Sequence, residues 1–184
     1  MTIYDKGLIR AMKQAYRDGG YDVAVTDNGV LIQSDGWGVE IAFDAVPNSV
    51  KSLIVLHNGS LPVMNKAVHV SKGECSEAIL EVVTGTMDDL AKMQAGRRIK
   101  PTRLTMDGCN VWQTTDRMDV HLVDVDDQQI LAAQIVNCYL IAGVIYGRNW
   151  FGSMYIRTRT VQHEDVSLVE HLSEMQWIPV GGDQ

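Results

Sequence analysis

Two alternating apolar runs, Tyr21-Val23-Val25 and Val30-Ile32, flank the dipeptide Asn28-Gly29, and this pattern constrains the fold more than any other in the chain. Alternation puts every second side chain on one face of a strand, and Asn-Gly supplies the positive φ angles of a tight hairpin. A two-residue loop pairs Val25 with Ile32 and Asp27 with Val30, which gathers the apolar residues on one face. Val39, Ile41 and Phe43 carry the alternation into a third strand after Gly36-Trp37-Gly38. Residues 2–18 form a helix that packs on this meander. Thr2 and Asp5 make a T-x-x-D cap, Leu8, Ile9, Met12, Ala15 and Tyr16 follow helical spacing, and Gly19-Gly20 ends the run.

Further along, Asn48 to His57 reads as a helix closed by Asn58-Gly59, Lys66 to Val70 as a strand, and Thr86 to Ala95 as a helix that Thr86 and Asp89 cap. The segment Gly96–Arg103, G-R-R-I-K-P-T-R, is basic, holds a proline and lacks apolar periodicity. It reads as a linker between halves spanning 1–95 and 104–184, which can still share one core. The second half reads as a strand over 117–125, a long buried helix over 128–146, a strand over 153–161, a helix over 165–175 with Leu168, Val169, Leu172 and Met175 as its stripe, and an end strand near Trp177. Helices and strands intermix without a strand–helix–strand rhythm. The expected class is therefore α+β: an N-terminal helix packed on a β-meander, followed by a mixed helix/strand C-terminal half.

With 184 residues, 46 % hydrophobic and 21 % charged, the chain has the profile of a folded protein. Its net charge of −7 argues against unspecific binding to nucleic acid, which neutralises phosphates with Lys and Arg. The same charge suits docking onto a basic protein surface, or simple solubility. Cys75, Cys109 and Cys138 form neither a disulfide framework nor a zinc pattern, and the start M-T-I-Y-D-K-G lacks the features of a signal peptide. A reducing cytoplasm is the expected location. The apolar run Ile130–Tyr146, broken by Gln134, Asn137 and Gly143, reads as a core element and not as a membrane span.

The strongest chemical signal is Asp116–Asp127, D-R-M-D-V-H-L-V-D-V-D-D. Its apolar set changes phase from Met118, Val120 and Leu122 to Val123 and Val125, which predicts a β-bulge near Leu122–Val123. A bulge would turn Asp119, His121, Asp124 and Asp126 to one side, where a divalent cation or a partner's basic patch would relieve their repulsion. A third reading makes the run a solvated strand end, with Asp126 and Gln129 as a D-x-x-Q cap for the next helix. Tyr155, Arg157 and Arg159 share a strand face, a pattern that stacks on or clamps nucleic acid, although arginines on a solvent face more often pair with aspartates. Arg97, Arg98, Lys100 and Arg103 form a second basic group. His163 and His171 are two helical turns apart, not one, and His57 stands at a helix end whose dipole favours an imidazolium. No G-x-S-x-G, Walker or G-x-G-x-x-G motif is present, so neither an enzyme nor a cofactor is expected.

The stretch V-K-S-L-I-V-L-H-N-G-S-L-P (50–62), followed by K-A-V-H-V-S-K (66–72), resembles small proteins carried by phages and mobile elements of gut clostridia. In size, acidity and lack of catalytic motifs the chain is similar to anti-CRISPR proteins that inhibit type II effector nucleases. The resemblance implies a stoichiometric inhibitor of such an effector or its guide-RNA complex, and it transfers no site residue. The candidate partner-binding residues, taken from the chain itself, are Asp116, Asp119, Asp124, Asp126, Asp127, Tyr155, Arg157 and Arg159. Direct nucleic-acid binding is the less favoured use of the last three. The rival readings are a metal-dependent phosphoesterase built on Asp119, His121, Asp124 and Asp126, and a structural component of a mobile element. The nearly all-apolar 130–146 segment also suggests a homodimer, with that helix or Arg148–Phe151 at the interface.

Overall fold

The computed structural model describes residues 5–92, 96–116, 119–131, 137–149 and 152–159, together with 170, 171 and 174. Helix α1 (Asp5–Asp18) lays Leu8, Met12 and Ala15 on the meander of β1 (Tyr21–Thr26), β2 (Gly29–Ser34) and β3 (Trp37–Ile41). The first hairpin closes on Asp27-Asn28, so Val23 opposes Ile32 and Val25 opposes Val30. The pairing is slipped by two residues from the expected one, which keeps the same face in the core. Gly29 is used for close approach and not for the turn: a Cβ there would collide with the Ile41 carbonyl. Phe43 falls beyond β3 in a short 3-10 turn and is 40 % exposed, so the third strand ends at Ile41.

Helix α2 (Asn48–Asn58) ends at Gly59, whose φ of 83° and N–H bond to the Val55 carbonyl complete a left-handed cap. The hairpin β4 (Lys66–Ser71) and β5 (Glu74–Ala78) follows. Helix α3 (Leu80–Lys92) starts before the expected Thr86, which lies inside it, and Val83, Met87 and Leu90 form its buried stripe.

The second half departs further from the sequence reading. The basic segment is no linker but the first part of β6 (Arg97–Met106), with Ile99 buried. Among the described residues β9 pairs with β6 at Arg97–Ile99, short of Pro101, so that pairing does not call on the proline's missing N–H. Strand β7 (Cys109–Thr114) follows a turn at Asp107-Gly108, both with positive φ, and β8 (Val120–Asp124) leads into the short α4 (Val125–Leu131). The long 128–146 helix is not formed: Cys138–Ile141 and Val144–Asn149 are β9 and β10, joined at Ala142 and Gly143, which have φ of 48° and 76°. A run that is apolar throughout fits a strand buried on both faces as well as a buried helix. Here Leu140 and Ile145 enter one core, and Ile141 and Tyr146 the other. Strand β11 (Gly152–Arg157) completes the described set. Of the expected 165–175 helix, Glu170, His171 and Glu174 are helical; its remainder and the end strand near Trp177 lie outside the described residues.

These strands form one antiparallel sheet in the order β5-β4-β1-β2-β3-β11-β10-β9-β6-β7-β8, which with the helices makes an α+β fold. Helices α1 and α2 cover one face, whose core also takes in Ile99, Trp112, Val123 and Ile156, and α3 covers the other with Ala24, Leu31 and Tyr155. Beyond β11 the Arg159 N–H bonds the Leu122 carbonyl at 2.8 Å, which joins β8 back to the chain after β11 and rolls six strands into a ring closed at one point. Among the described residues no helix is long and apolar enough to cross a membrane.

Candidate functional site

The acidic run does not form one cluster. β8 pairs with β7 in unbroken register, Gln113 with Val120 through Cys109 with Asp124, so the expected bulge is absent. The phase change has another cause: both faces of β8 are buried, Val120 and Leu122 with Cys109 and Val111, and Val123 with Trp112 and Ile130. Asp119, just before the five-residue β8, and Asp124, at its end, are therefore on the order of 15 Å apart, and His121 faces away from Asp124. Among the described residues no group of three or more His, Cys, Asp or Glu side chains could hold a metal ion.

At the start of β8, Arg97 pairs with Asp119 and, at 3.6 Å, with Asp116. The segment read as a basic linker thus neutralises the first two aspartates. Burial, and secondarily Arg97, lower the pKa of His121. At the far end Asp124, not Asp126, caps α4, its Oδ1 accepting the Asp126 N–H at 2.7 Å. Asp126 instead accepts Arg10 of α1 at 2.9 Å, and the Arg10 guanidinium also donates to Gln129 at 3.3 Å. Trp112 ties α4 to β7 by donating to Gln128 at 2.9 Å.

That second group opens onto a cavity of about 760 Å³ at the β2–β3 turn. Its walls carry Asp18, Asp22, Asp35, Asp124, Asp126 and Asp127 against Arg10, Arg157 and His69. Asp126 is neutralised by Arg10, and Asp22 meets His69 Nδ1 at 2.8 Å, with His69 Nε2 3.1 Å from the Gly19 carbonyl. Among the described residues Asp35 and Asp127 have no cationic partner. Burial first, then Asp124 and Asp126, push Asp127 up to about 6. A cleft with this balance is built to take positive charge: an incoming ammonium or guanidinium would complete the ionisation of Asp127 and relieve its repulsion from its neighbours.

Tyr155, Arg157 and Arg159 are not an aromatic platform. Tyr155 is 2 % exposed, its ring lies against Gly38, and its hydroxyl donates to Gln33 at 3.2 Å; burial raises its pKa to about 12. Arg157 is exposed at the cleft wall, and its N–H bonds the Gly36 carbonyl at 2.8 Å. Arg159 reaches the Asp107 carbonyl at 3.5 Å across the ring closure.

The imidazolium expected at His57 is also overturned. Burial and Lys13 lower its pKa, the ring stacks on Tyr16 at 3.8 Å, and the Tyr21 hydroxyl lies 2.9 Å from Nδ1. Burial keeps the Cys138 thiol protonated, with a pKa near 12, in line with a core role. Sequence reasoning missed Arg10, Asp22, Asp35 and His69. Only Asp35-Gly36, a turn dipeptide, carries a local signal, because α1, β1 and β4 bring the others together from distant parts of the chain. It also missed that Glu40 faces Asp88 across a smaller pocket of about 300 Å³, where burial and Asp88 raise the Glu40 pKa. No protein-family model matches the chain, and neither a curated protein nor a solved structure shows a significant match to it.

Proposed function

We propose that this protein is a non-enzymatic binding protein that inhibits a nucleic-acid-handling enzyme by occupying the basic surface with which that enzyme grips its substrate. The observation that carries this reading is the cleft between α1, α4 and the β2–β3 turn, which Asp35 and Asp127 line with no cationic partner among the described residues. Carboxylates fixed on a helix and a tight turn present negative charge in a set geometry, as phosphates do along a strand of nucleic acid. A Lys or Arg of the partner would enter between them, with Asp124 at its side.

The resemblance of residues 50–62 and 66–72 narrows the proposal to an RNA-guided DNA nuclease, bound alone or with its guide RNA, in a bacterial cytoplasm. Such effectors hold their heteroduplex in a positively charged channel and read a short duplex motif through arginines. A net charge of −7 speeds the encounter, and apolar contacts at the rim of the cleft would slow release. Surface-immobilised effector, with and without guide RNA, tests the reading. Binding that weakens steeply with salt and is lost when Asp35 and Asp127 are both changed to Asn supports it. Salt-insensitive binding that survives the double substitution would move the contact elsewhere, and no binding to either form would remove the effector as partner.

A further inference from the structure

The two ends of the sheet are finished differently. At one end β8 is covered by α4 and joined to Arg159, so its outer edge is partly satisfied. At the other end β5 (Glu74–Ala78) is the edge strand, with an outer row of backbone groups that no other strand among the described residues takes up. Proteins that must stay single blunt such edges with lysine, proline or a bulge. β5 reads E-C-S-E-A, contains neither residue, and pairs with β4 in unbroken register. The apolar surface lies at this end as well. Seven of the eight large apolar side chains exposed among the described residues fall between 55 and 82, in the segments that flank the β4–β5 hairpin. Leu61 and Val63 border a groove of about 350 Å³ beside β5, and Ile79 and Val82 stand where α3 begins.

We infer that β5 is the seam of a homodimer, in which two copies pair their β5 strands antiparallel about a two-fold axis at Ser76 and continue the sheet from one subunit into the next. The strand is complementary to itself in this register. Ser76 opposes Ser76 of the second copy, Glu74 opposes Ala78, and Cys75 opposes Glu77. No carboxylate therefore faces another, and opposed residues share a face, as antiparallel pairing demands. Glu77 brings its own countercharge, since Lys66 holds it at 2.8 Å. A strand pair of this length buries too little surface alone for a stable interface, which needs about 1,000 Å² or more. The apolar shoulders at Leu61, Val63, Ile79 and Val82 supply the remainder. This seam replaces the 130–146 helix as the basis for a dimer, and it lies on the opposite shoulder of β1 and β2 from α4.

Cysteine cross-linking in the full chain tests the register, with Cys75→Ser as background because Cys109 and Cys138 are buried. Ser76→Cys places two sulfurs across the axis at a Cα separation of about 4.5–5.5 Å, inside the range a disulfide tolerates. Glu74→Cys places them roughly 13 Å apart. The expected result is a covalent dimer from the first variant and none from the second, together with a light-scattering mass of twice 20.4 kDa for the unmodified chain. Ser76→Lys sets two like charges face to face on the axis and should return the mass to that of one chain, with unchanged far-UV circular dichroism. Equal cross-linking at both positions, or a mass of 20.4 kDa for the unmodified protein at micromolar concentration, would overturn the inference.

Discussion

The Asp127 carboxylate lies over Gly36, its Oδ2 2.9 Å from the place a Cβ on that glycine would occupy. The β2–β3 turn and α4 thus meet where a side chain is missing, and the space left open holds a carboxylate that burial and its neighbours keep hard to ionise. With a pKa of about 6 in the folded protein, against roughly 3.9 in an unfolded chain, Asp127 binds its proton more tightly when folded. Stability therefore falls as pH rises from about 4 to about 6, and the penalty is fully present above that window. Asp127→Asn removes it. After allowance for solvent screening of a partly exposed group, the variant should be more stable than the parent by about 1 kcal/mol at pH 7.5. The difference should vanish near pH 4, as urea unfolding at the two pH values would show.

Arg97 joins β6 to the start of β8 through Asp116 and Asp119, and its charge helps keep His121 neutral. Arg97→Gln should raise the pKa of His121, seen as an upward shift in the NMR titration of its ring protons. The same change should cost only about 0.5–1 kcal/mol, because the ion pairs are nearly half exposed. An unmoved His121 titration would mean that burial alone sets its protonation.

Gly152 opens β11 where β11 pairs with β3, the contact that joins the two halves of the sheet. A Cβ there would strike the Glu40 carbonyl, and the atoms it meets are β3 backbone, which cannot swing aside as a side chain could. Gly152→Ala should therefore destabilise the fold by about 2–4 kcal/mol. Gly73→Ala, at a turn with nothing near its Cβ but a φ of 88°, should cost about 1 kcal/mol. Chemical denaturation of the two variants side by side gives the comparison.

Tyr155→Phe removes a buried hydroxyl that donates to Gln33, so it should lower stability by about 1–2 kcal/mol. Because the ring is enclosed, the change should leave partner affinity within twofold, whereas a stacking platform at this residue would lose binding with any change that displaces the ring. Isothermal titration beside a thermal melt separates the two.

The N-terminal elements were legible because their signals are local. Helical spacing in α1, alternation in β1 to β3 and a left-handed glycine at the end of α2 each follow from a few adjacent residues. The 138–149 segment was not, since strands buried on both faces lose their alternation; the Gly143 in its middle and its β-branched residues were the only local marks of a hairpin. Asp107-Gly108, an Asp-Gly pair at the β6–β7 turn, is a stronger local hairpin signal. At the site, the aspartates of the 116–127 run were visible but their partners were not. Arg97 and Arg10 reach them from β6 and α1, and only the folded chain shows that one end of the run is neutralised while Asp127 is left open.

The most direct test of the central claim is a titration of this protein into purified type II effector loaded with guide RNA, followed by cleavage of a matched DNA target. Cleavage should stop near one equivalent per effector, and the Asp35→Asn, Asp127→Asn double variant should need at least tenfold more protein to match it. Undiminished cleavage at several-fold molar excess of the unmodified protein would contradict the claim.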